Sequence, residues 1–460
     1  MNATRAAQRG AVRRYIADFG SPTQVIAASF IGLIVAGTAL LSLPISHGTE
    51  RVGVIDALFT ATSAVCVTGL AVVDTGTAYS GFGQAVILLL FQLGGLGLLT
   101  FGTFLALATG RQLGYGERMR MQQQLSASSV GGVVSLASTI ARVVVVSELI
   151  GALLLYSRFA SEEGVGRGAW FAVFHSVSAF NNAGFSLYSD SLSSYVDDPV
   201  VTVTIMGLIV VGGLGFVVIT NLRDVALAQR SGRRVQLNLH TKVALVVTAS
   251  LIASGTVLFL LVEWNNEETL GPLSAPGRVL AATFQSVTTR TAGFNTVDIG
   301  SMTTAGLLIV MLLMFIGGNP GSTAGGVKTT TIFVIVLSIW SVIRRRPDSV
   351  VFGRRLGPDT VVRAGAIGAS AVLLIGAAST LMAVAEPDFT LEQLLFESVS
   401  ALGTVGLSTG ITSMFGSVGK LIMIALMYVG RIGLLSFALA LVKRSASTSL
   451  RRPVEDVVVG

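Results

Sequence analysis

Four short polar stretches interrupt an otherwise apolar chain: Phe59 to Leu70 (FTATSAVCVTGL), Phe174 to Leu187 (FHSVSAFNNAGFSL), Phe284 to Thr296 (FQSVTTRTAGFNT) and Phe396 to Gly410 (FESVSALGTVGLSTG). Each opens with phenylalanine, passes through hydroxyl-bearing residues and reaches a glycine: Gly69, Gly184, Gly293 or Gly406. The glycines are 115, 109 and 113 residues apart, and they follow their phenylalanines by 10, 10, 9 and 10 positions. Such near-constant spacing marks internal duplication, whereas ordinary polar loops need not repeat. What these stretches offer chemically is oxygen. Backbone carbonyls can replace the water shell of a cation, and glycine permits the positive-φ geometry that such a turn needs.

Other chemistries lack material. The single cysteine, Cys66, allows no intrachain disulfide, and His47, His175 and His240 are far apart, so neither a zinc nor a haem site is expected. No Ser/His/Asp constellation suggests covalent catalysis. The expectation is a chain that is not an enzyme, carries no organic cofactor and binds no nucleic acid.

The elements that hold these stretches must lie in a membrane. Of 460 residues, 52% are hydrophobic and only 12% charged, with mean hydropathy +0.76; a soluble domain carries about 25% charged residues. Eight segments are apolar and long enough to cross: 23–43, 82–109, 133–157, 200–222, 242–262, 302–343 with an interruption, 361–384 and 417–442. The segments 1–20, 110–130, 221–242, 343–363 and 443–452 hold 22 of the 31 Lys and Arg, while the opposite segments hold 16 of the 24 acids. The positive-inside rule then puts both termini in the cytoplasm. The basic runs RSGRR and IRRRPDSVVFGRR serve either topology alone or docking of a cytoplasmic partner.

Each polar stretch falls between two of these spans. Irregular backbone at membrane depth is tolerated only where it is buried or lines a watery cavity. The segment before each glycine, such as VIDALFTATSAV, suits a helix of about three turns that enters from outside and stops midway. The negative pole of its macrodipole favours a cation nearby. Four such turns around one axis would make a ring of oxygens.

The sixth segment is different. It contains GGNPGSTAGG, in which Gly317, Gly318, Pro320, Gly321, Gly325 and Gly326 break a helix, and Lys328 follows in an apolar setting where an ion is costly. A phosphate-binding loop is nearly matched by GSTAGGVKT, but Val327 separates Gly326 from Lys328 and the flanks are a membrane span. A kink for close packing and a movable plug below the oxygen ring are the remaining readings. Arg431, in LMYVGRIGLLSF, is the other cation expected at membrane depth.

Taken together, these motifs resemble the Ktr/Trk/HKT superfamily of potassium transporters. The four glycines, the flanks SAFNNAGFSL, TRTAGFNT and GTVGLSTG, and nearly the whole chain take part. Eight spans without an additional N-terminal pair are most like the KtrB-type membrane subunit. The fold this implies is an all-α polytopic membrane protein in which four span–pore-helix–span repeats surround one ion pore in pseudo-fourfold symmetry. The repeats would run over 23–109, 110–230, 231–346 and 347–444, with a cytoplasmic N-terminal segment 1–22 and tail 445–460. The resemblance places a potassium filter along Val67-Thr68-Gly69, Asn182-Ala183-Gly184, Thr291-Ala292-Gly293 and Thr404-Val405-Gly406. It makes 317–327 an intramembrane gating loop, with Gly317, Gly318, Gly321, Ser322, Thr323, Gly325 and Gly326 as its mobile part. Lys328 and Arg431 would then oppose a waiting cation. It further implies a bacterial inner-membrane location, potassium as the bound ion, sodium as an activator, a homodimer, and a cytoplasmic nucleotide-binding regulatory ring of the KtrA type. No repeat carries Thr-Val-Gly-Tyr-Gly, so fewer tight binding rings than in a potassium channel are expected.

Two rivals are weaker. An alternating-access symporter also breaks helices at the midplane but commonly shows two inverted repeats, not four parallel ones. A membrane enzyme or sensor would need acids, His or Cys clustered at depth. Among single residues, Arg290 beside the third filter stretch calls for a partner, and Glu397 of the neighbouring pore helix is the one expected. Glu148 is read as a bundle hydrogen-bonding group or a proton relay, His175 and Asn181 as braces of the second stretch, and GGLGLLTFG (94–102) and GGLGF (212–216) as close helix packing.

Overall fold

A computed structural model describes residues 22–49, 51–97, 133–232 and 235–433. The basic 110–130 stretch, most of the N-terminal segment, the tail, and the later parts of the second and eighth expected spans lie outside these residues.

Among the described residues the regular structure is helical apart from one short hairpin. In chain order the main helices are α1 (Pro22–Leu41), α2 (Val54–Cys66), α3 (Gly81–Leu96), α4 (Val133–Glu163), α5 (Val165–Asn181), α6 (Pro199–Leu214) and α7 (Phe216–Arg230). They continue with α8 (Leu239–Glu263), α9 (Ala275–Thr288), α10 (Thr304–Phe315) and α11 (Thr329–Ile343). Antiparallel strands β1 (Val350–Val351) and β2 (Arg354–Arg355) then precede α12 (Pro358–Ala385), α13 (Leu391–Gly403) and α14 (Ser417–Ile432).

Among the described residues four helices are long and apolar enough to cross a membrane, within α1, α4, α8 and α12; counting the bent pair α6 and α7 as one span makes five. Their outward faces carry bare apolar side chains, such as Leu153, Leu261, Leu373 and Val384, each at least 70% exposed. Water would not tolerate such a surface, and lipid does.

Besides the sixth, three of the expected spans are interrupted within the described residues. α3 stops at Gly97, α6 at Gly215 and α14 at Gly433, each with φ between 76° and 92° and an extended ψ. At Gly215 the chain bends by 94° into α7. The same register recurs in sequence: Gly94-Gly95-Leu96-Gly97, Gly212-Gly213-Leu214-Gly215 and Gly430-Arg431-Ile432-Gly433. Hydropathy sees only an unbroken apolar run there, but the last glycine takes a positive φ that ends a helix. In the sixth span α10 and α11 are separate helices, as its glycines and proline suggested.

The short helices α2, α5, α9 and α13 carry the polar stretches and are held inside the others. Each opens with a buried phenylalanine one or two turns in: Phe59, Phe174, Phe284 and Phe396 are all 0% exposed. Their starts are built locally. Ser274 caps α9 by accepting from the Gly277 N–H, and Thr390 forms a capping box with Gln393 on α13. The packing is cyclic. α3 lies on α5, α6 on α9, α10 on α13, and α14 returns to α2. An ion pair between Lys420 on α14 and Asp56 on α2, 2.6 Å, joins the last helix to the first of this set.

Candidate functional site

The C-terminal ends of the four short helices converge. In three of them the residue after the helix is left-handed: Val67 (φ 56°), Asn182 (φ 58°) and Thr404 (φ 50°). Their caps are alike. Thr68 N–H bonds the Ser63 carbonyl, Ala183 N–H that of Ser178, and Val405 N–H that of Ser400, each reaching back five residues. This is the six-to-one bond of a Schellman cap. The third stretch is one residue shorter and caps differently. α9 ends at Thr288, Thr291 is the left-handed residue (φ 67°), and Ala292 N–H reaches back four residues to Thr288. Left-handed Val and Thr are strained, by roughly 1–2 kcal/mol each, and all four of these residues are at most 1% exposed.

The glycines come next, at φ 93°, 71°, 81° and 93° for Gly69, Gly184, Gly293 and Gly406. A methyl group on Gly69 would lie 2.6 Å from the Ala183 carbonyl oxygen, and one on Gly184 2.8 Å from that of Ala292. On Gly293 it would lie 2.6 Å from the Val405 oxygen, and on Gly406 2.1 Å from the Thr68 oxygen. Each glycine therefore abuts the carbonyl that precedes the next glycine, and the fourth closes on the first. The twelve residues expected to form the filter are thus brought into one ring.

Behind the ring stand residues that sequence reading did not single out. A hydroxyl occurs four places after each phenylalanine: Ser63, Ser178, Thr288 and Ser400. Ser63 Oγ and Ser400 Oγ accept from Gly69 N–H and Gly406 N–H, both at 3.1 Å. Ser178 and Thr288 donate instead to the carbonyls of Phe185 and Phe294, at 2.8 and 2.6 Å. The identical register was the available signal, but hydroxyls are common in these stretches.

In the second and fourth stretches the residue one place after the phenylalanine braces the chain beyond the glycine. His175 Nδ1 lies 2.8 Å from the Phe171 carbonyl, while Nε2 lies 3.0 Å from Ser186 Oγ and accepts from Leu187 N–H. Glu397 accepts from Ser408 Oγ, Thr409 N–H and Thr412 Oγ1. Glu397 is therefore committed to its own repeat, and among the described residues no ion pair joins it to Arg290. Arg290 is 6% exposed, and its Nε and Nη2 have no hydrogen-bond partner. Arg290 lies beyond the end of α9, six places after Phe284, whereas His175 and Glu397 each follow their phenylalanine directly. Asn181 donates to Gln92 Oε1 and Glu148 Oε1, so Glu148 is hydrogen-bonded within the bundle behind the second stretch.

On one side of the ring the four glycines floor a cavity of about 380 Å³, whose walls include Asp74, Tyr188, Asn295, Asp298 and Ser408. Its lining holds carboxylates and no Lys or Arg, which favours cations.

The loop 317–327 lies against the other end of the turns. Thr323 Oγ1 donates to the Phe180 carbonyl at 3.2 Å, and a methyl on Gly325 would lie 1.8 Å from Thr404 Oγ1. Asn319 N–H bonds the Gly213 carbonyl, Phe216 N–H the Gly321 carbonyl, and Gly317 N–H the Val327 carbonyl. Ser322 Oγ closes the loop onto the Asn319 carbonyl at 2.6 Å, and Gly318 accepts from Thr329 N–H. Gly321 and Gly326 have φ 69° and 66°. Lys328 Nζ donates back to the Ala324 and Gly325 carbonyls, at 2.7 and 3.3 Å. Arg431 takes the place that Gly95 and Gly213 hold in the equivalent motifs. Its guanidinium donates to Thr323, Gly94 and Gly95 carbonyls, so one cation ties the loop to the end of α3. The loop follows a helix, not a strand, which departs from the context of a phosphate-binding loop.

With this geometry in place, known proteins are informative. Residues 7–452 match the TrkH family model, described as a cation transport protein. The chain is 40% identical over 440 residues to the Ktr system potassium uptake protein B of Bacillus subtilis, covering 96% of this chain and 97% of that one. It is 38% identical over 446 residues to the potassium/sodium uptake protein NtpJ of Enterococcus hirae, covering 96% and 97%. The crystal structure of the potassium transporter TrkH from Vibrio parahaemolyticus shares the fold, with TM-score 0.71 and 17% identity over 92% of this chain and 86% of that one. The chain belongs to the TrkH family of cation transport proteins.

Proposed function

We propose that this chain takes up potassium across a bacterial cell membrane through the ring of four glycine turns. The observation that carries the reading is the closed cycle of contacts from Gly69 through Gly184 and Gly293 to Gly406. Carbonyls of the residues around Thr68, Ala183, Ala292 and Val405 would replace the ion's water shell, and the negative ends of α2, α5, α9 and α13 would stabilise it. The names of the similar Bacillus and Enterococcus proteins support potassium as the ion, and the Enterococcus name supports sodium as a second ion; in this reading sodium also activates.

In this reading the repeats are 23–109, 110–230, 231–346 and 347–444, related by pseudo-fourfold symmetry, with eight crossings and both termini cytoplasmic. The cavity over the glycines is the outer vestibule. The loop 317–327 is the gate, held shut by Arg431 and Lys328, and a cation that has passed the ring meets both charges. The subunit pairs as a homodimer and is controlled by a cytoplasmic nucleotide-binding ring; membership of a Ktr system by a relative supports a multi-component assembly.

The test is growth of a bacterium lacking its own potassium uptake, at low external potassium, with the cognate cytoplasmic subunit co-expressed. Native chain should rescue growth, and an equally expressed Gly69→Asp variant should not. Rescue by both would remove the ring from the transport path, and rescue by neither would remove potassium as the substrate.

A further inference from the structure

Seven described non-glycine residues have left-handed backbone. Four are the turns of the ring, and Ser191 lines the cavity above it. The other two, Arg345 (φ 51°) and Phe352 (φ 47°), lie far from the ring in sequence, in the connection between α11 and α12. Both positions suit glycine better. Arg345 follows the end of α11, where Arg346 N–H closes onto the Ser341 carbonyl, the usual place of a capping glycine. Phe352 and Gly353 (φ 72°) form the two-residue turn between β1 and β2, whose first position ordinarily takes Asn, Asp or Gly. Strain retained at an exposed site motivates a functional reading.

What the strain displays is an aromatic and basic surface. Phe352 is 52% exposed at the hairpin tip, and Val350 is 48% exposed. Arg344, Arg345, Arg346, Arg354 and Arg355 are all exposed. Of these, Arg355 pairs with Asp348 at 2.7 Å, and Arg344 stacks over Trp340, 4.6 Å from its ring. Lys242, at the start of α8, stands 5.9 Å from the Phe352 ring, so the tip folds back over a helix end. The nearby charges on α12 are Asp359 in its first turn and Arg363.

We propose that this hairpin and the end of α11 form a binding site for anionic phospholipid headgroups. The apolar face that runs into the arginines favours lipid over a protein partner. Val342 and Ile343, 75% and 67% exposed, continue the bare apolar face of α11 directly into Arg344. The arginines thus stand at headgroup level, with Trp340 as an interfacial anchor and Phe352 able to dip beside the acyl chains. Among the described residues no carboxylate forms an ion pair with Arg345, Arg346 or Arg354.

The test uses full-length protein in phosphatidylcholine bilayers, with brominated chains placed on either phosphatidylcholine or added phosphatidylglycerol. Emission from Trp340 is read as the difference between native protein and Trp340→Phe. Phosphatidylglycerol should quench it more than phosphatidylcholine at equal mole fraction. Each arginine near an anionic surface contributes about fivefold in affinity, so Arg345→Gln/Arg346→Gln/Arg354→Gln should weaken the preference by on the order of a hundredfold. Arg345→Gly relieves the strained backbone, so it folds at least as well, and should still weaken the preference by about fivefold. Equal quenching by both lipids in the native protein, or a preference unchanged in Arg345→Gly, overturns the proposal.

Discussion

Arg431 distinguishes two ways in which the proposed gate could be held shut. If its role is charge alone, Arg431→Lys should leave flux low and Arg431→Ala should raise it. The geometry predicts that both raise flux, because a lysine cannot reach the Thr323, Gly94 and Gly95 carbonyls together as the planar guanidinium does. Rubidium uptake into proteoliposomes separates the two: a silent Arg431→Lys makes charge the whole barrier. The ring glycines give a second residue-scale prediction. Alanine at Gly406 would bring a methyl to 2.1 Å from a carbonyl, against 2.8 Å at Gly184. Gly406→Ala should therefore lose transport more completely than Gly184→Ala, and Gly293→Ser should weaken selectivity for potassium over sodium. Paired uptake assays with the two ions check both, and equal losses with unchanged selectivity would argue against the ring.

Among the elements, the loop and the third short helix carry the testable consequences. Deleting Thr323 to Gly326 removes the contacts with Phe180 and Thr404 and should raise flux in a folded, membrane-inserted protein; unchanged flux would leave the loop a packing kink. The braces differ in worth. Glu397→Gln puts a donor among the donors Ser408, Thr409 and Thr412 and should cost roughly 2–3 kcal/mol. Gln285 is 1% exposed with neither amide atom partnered, so Gln285→Leu should raise stability, by about 1–3 kcal/mol. Thermal unfolding in detergent measures both. At this scale the sequence was legible where a pattern repeated. The phenylalanine-to-glycine interval located all four turns, and the glycines with Pro320 located the loop. The helix ends at Gly97, Gly215 and Gly433 were not legible, because their flanks are apolar throughout and hydropathy averages over them. The Arg290 to Glu397 pairing failed because Glu397 commits both oxygens to Ser408, Thr409 and Thr412 of its own repeat.

For the whole molecule, the cyclic packing from α3 on α5 round to α14 on α2 makes the ring a joint product of all four units. An ion bound there should stabilise the entire fold. Potassium or rubidium at about a hundred times its dissociation constant would add about 2.7 kcal/mol, seen as a rise in unfolding temperature that sodium matches less well. The claim that the four turns hold a dehydrated cation is tested most directly by rubidium anomalous scattering from crystals of the full chain. The account predicts a peak on the axis between Gly69, Gly184, Gly293 and Gly406. Rubidium bound elsewhere, with none within reach of those four turns, would contradict it.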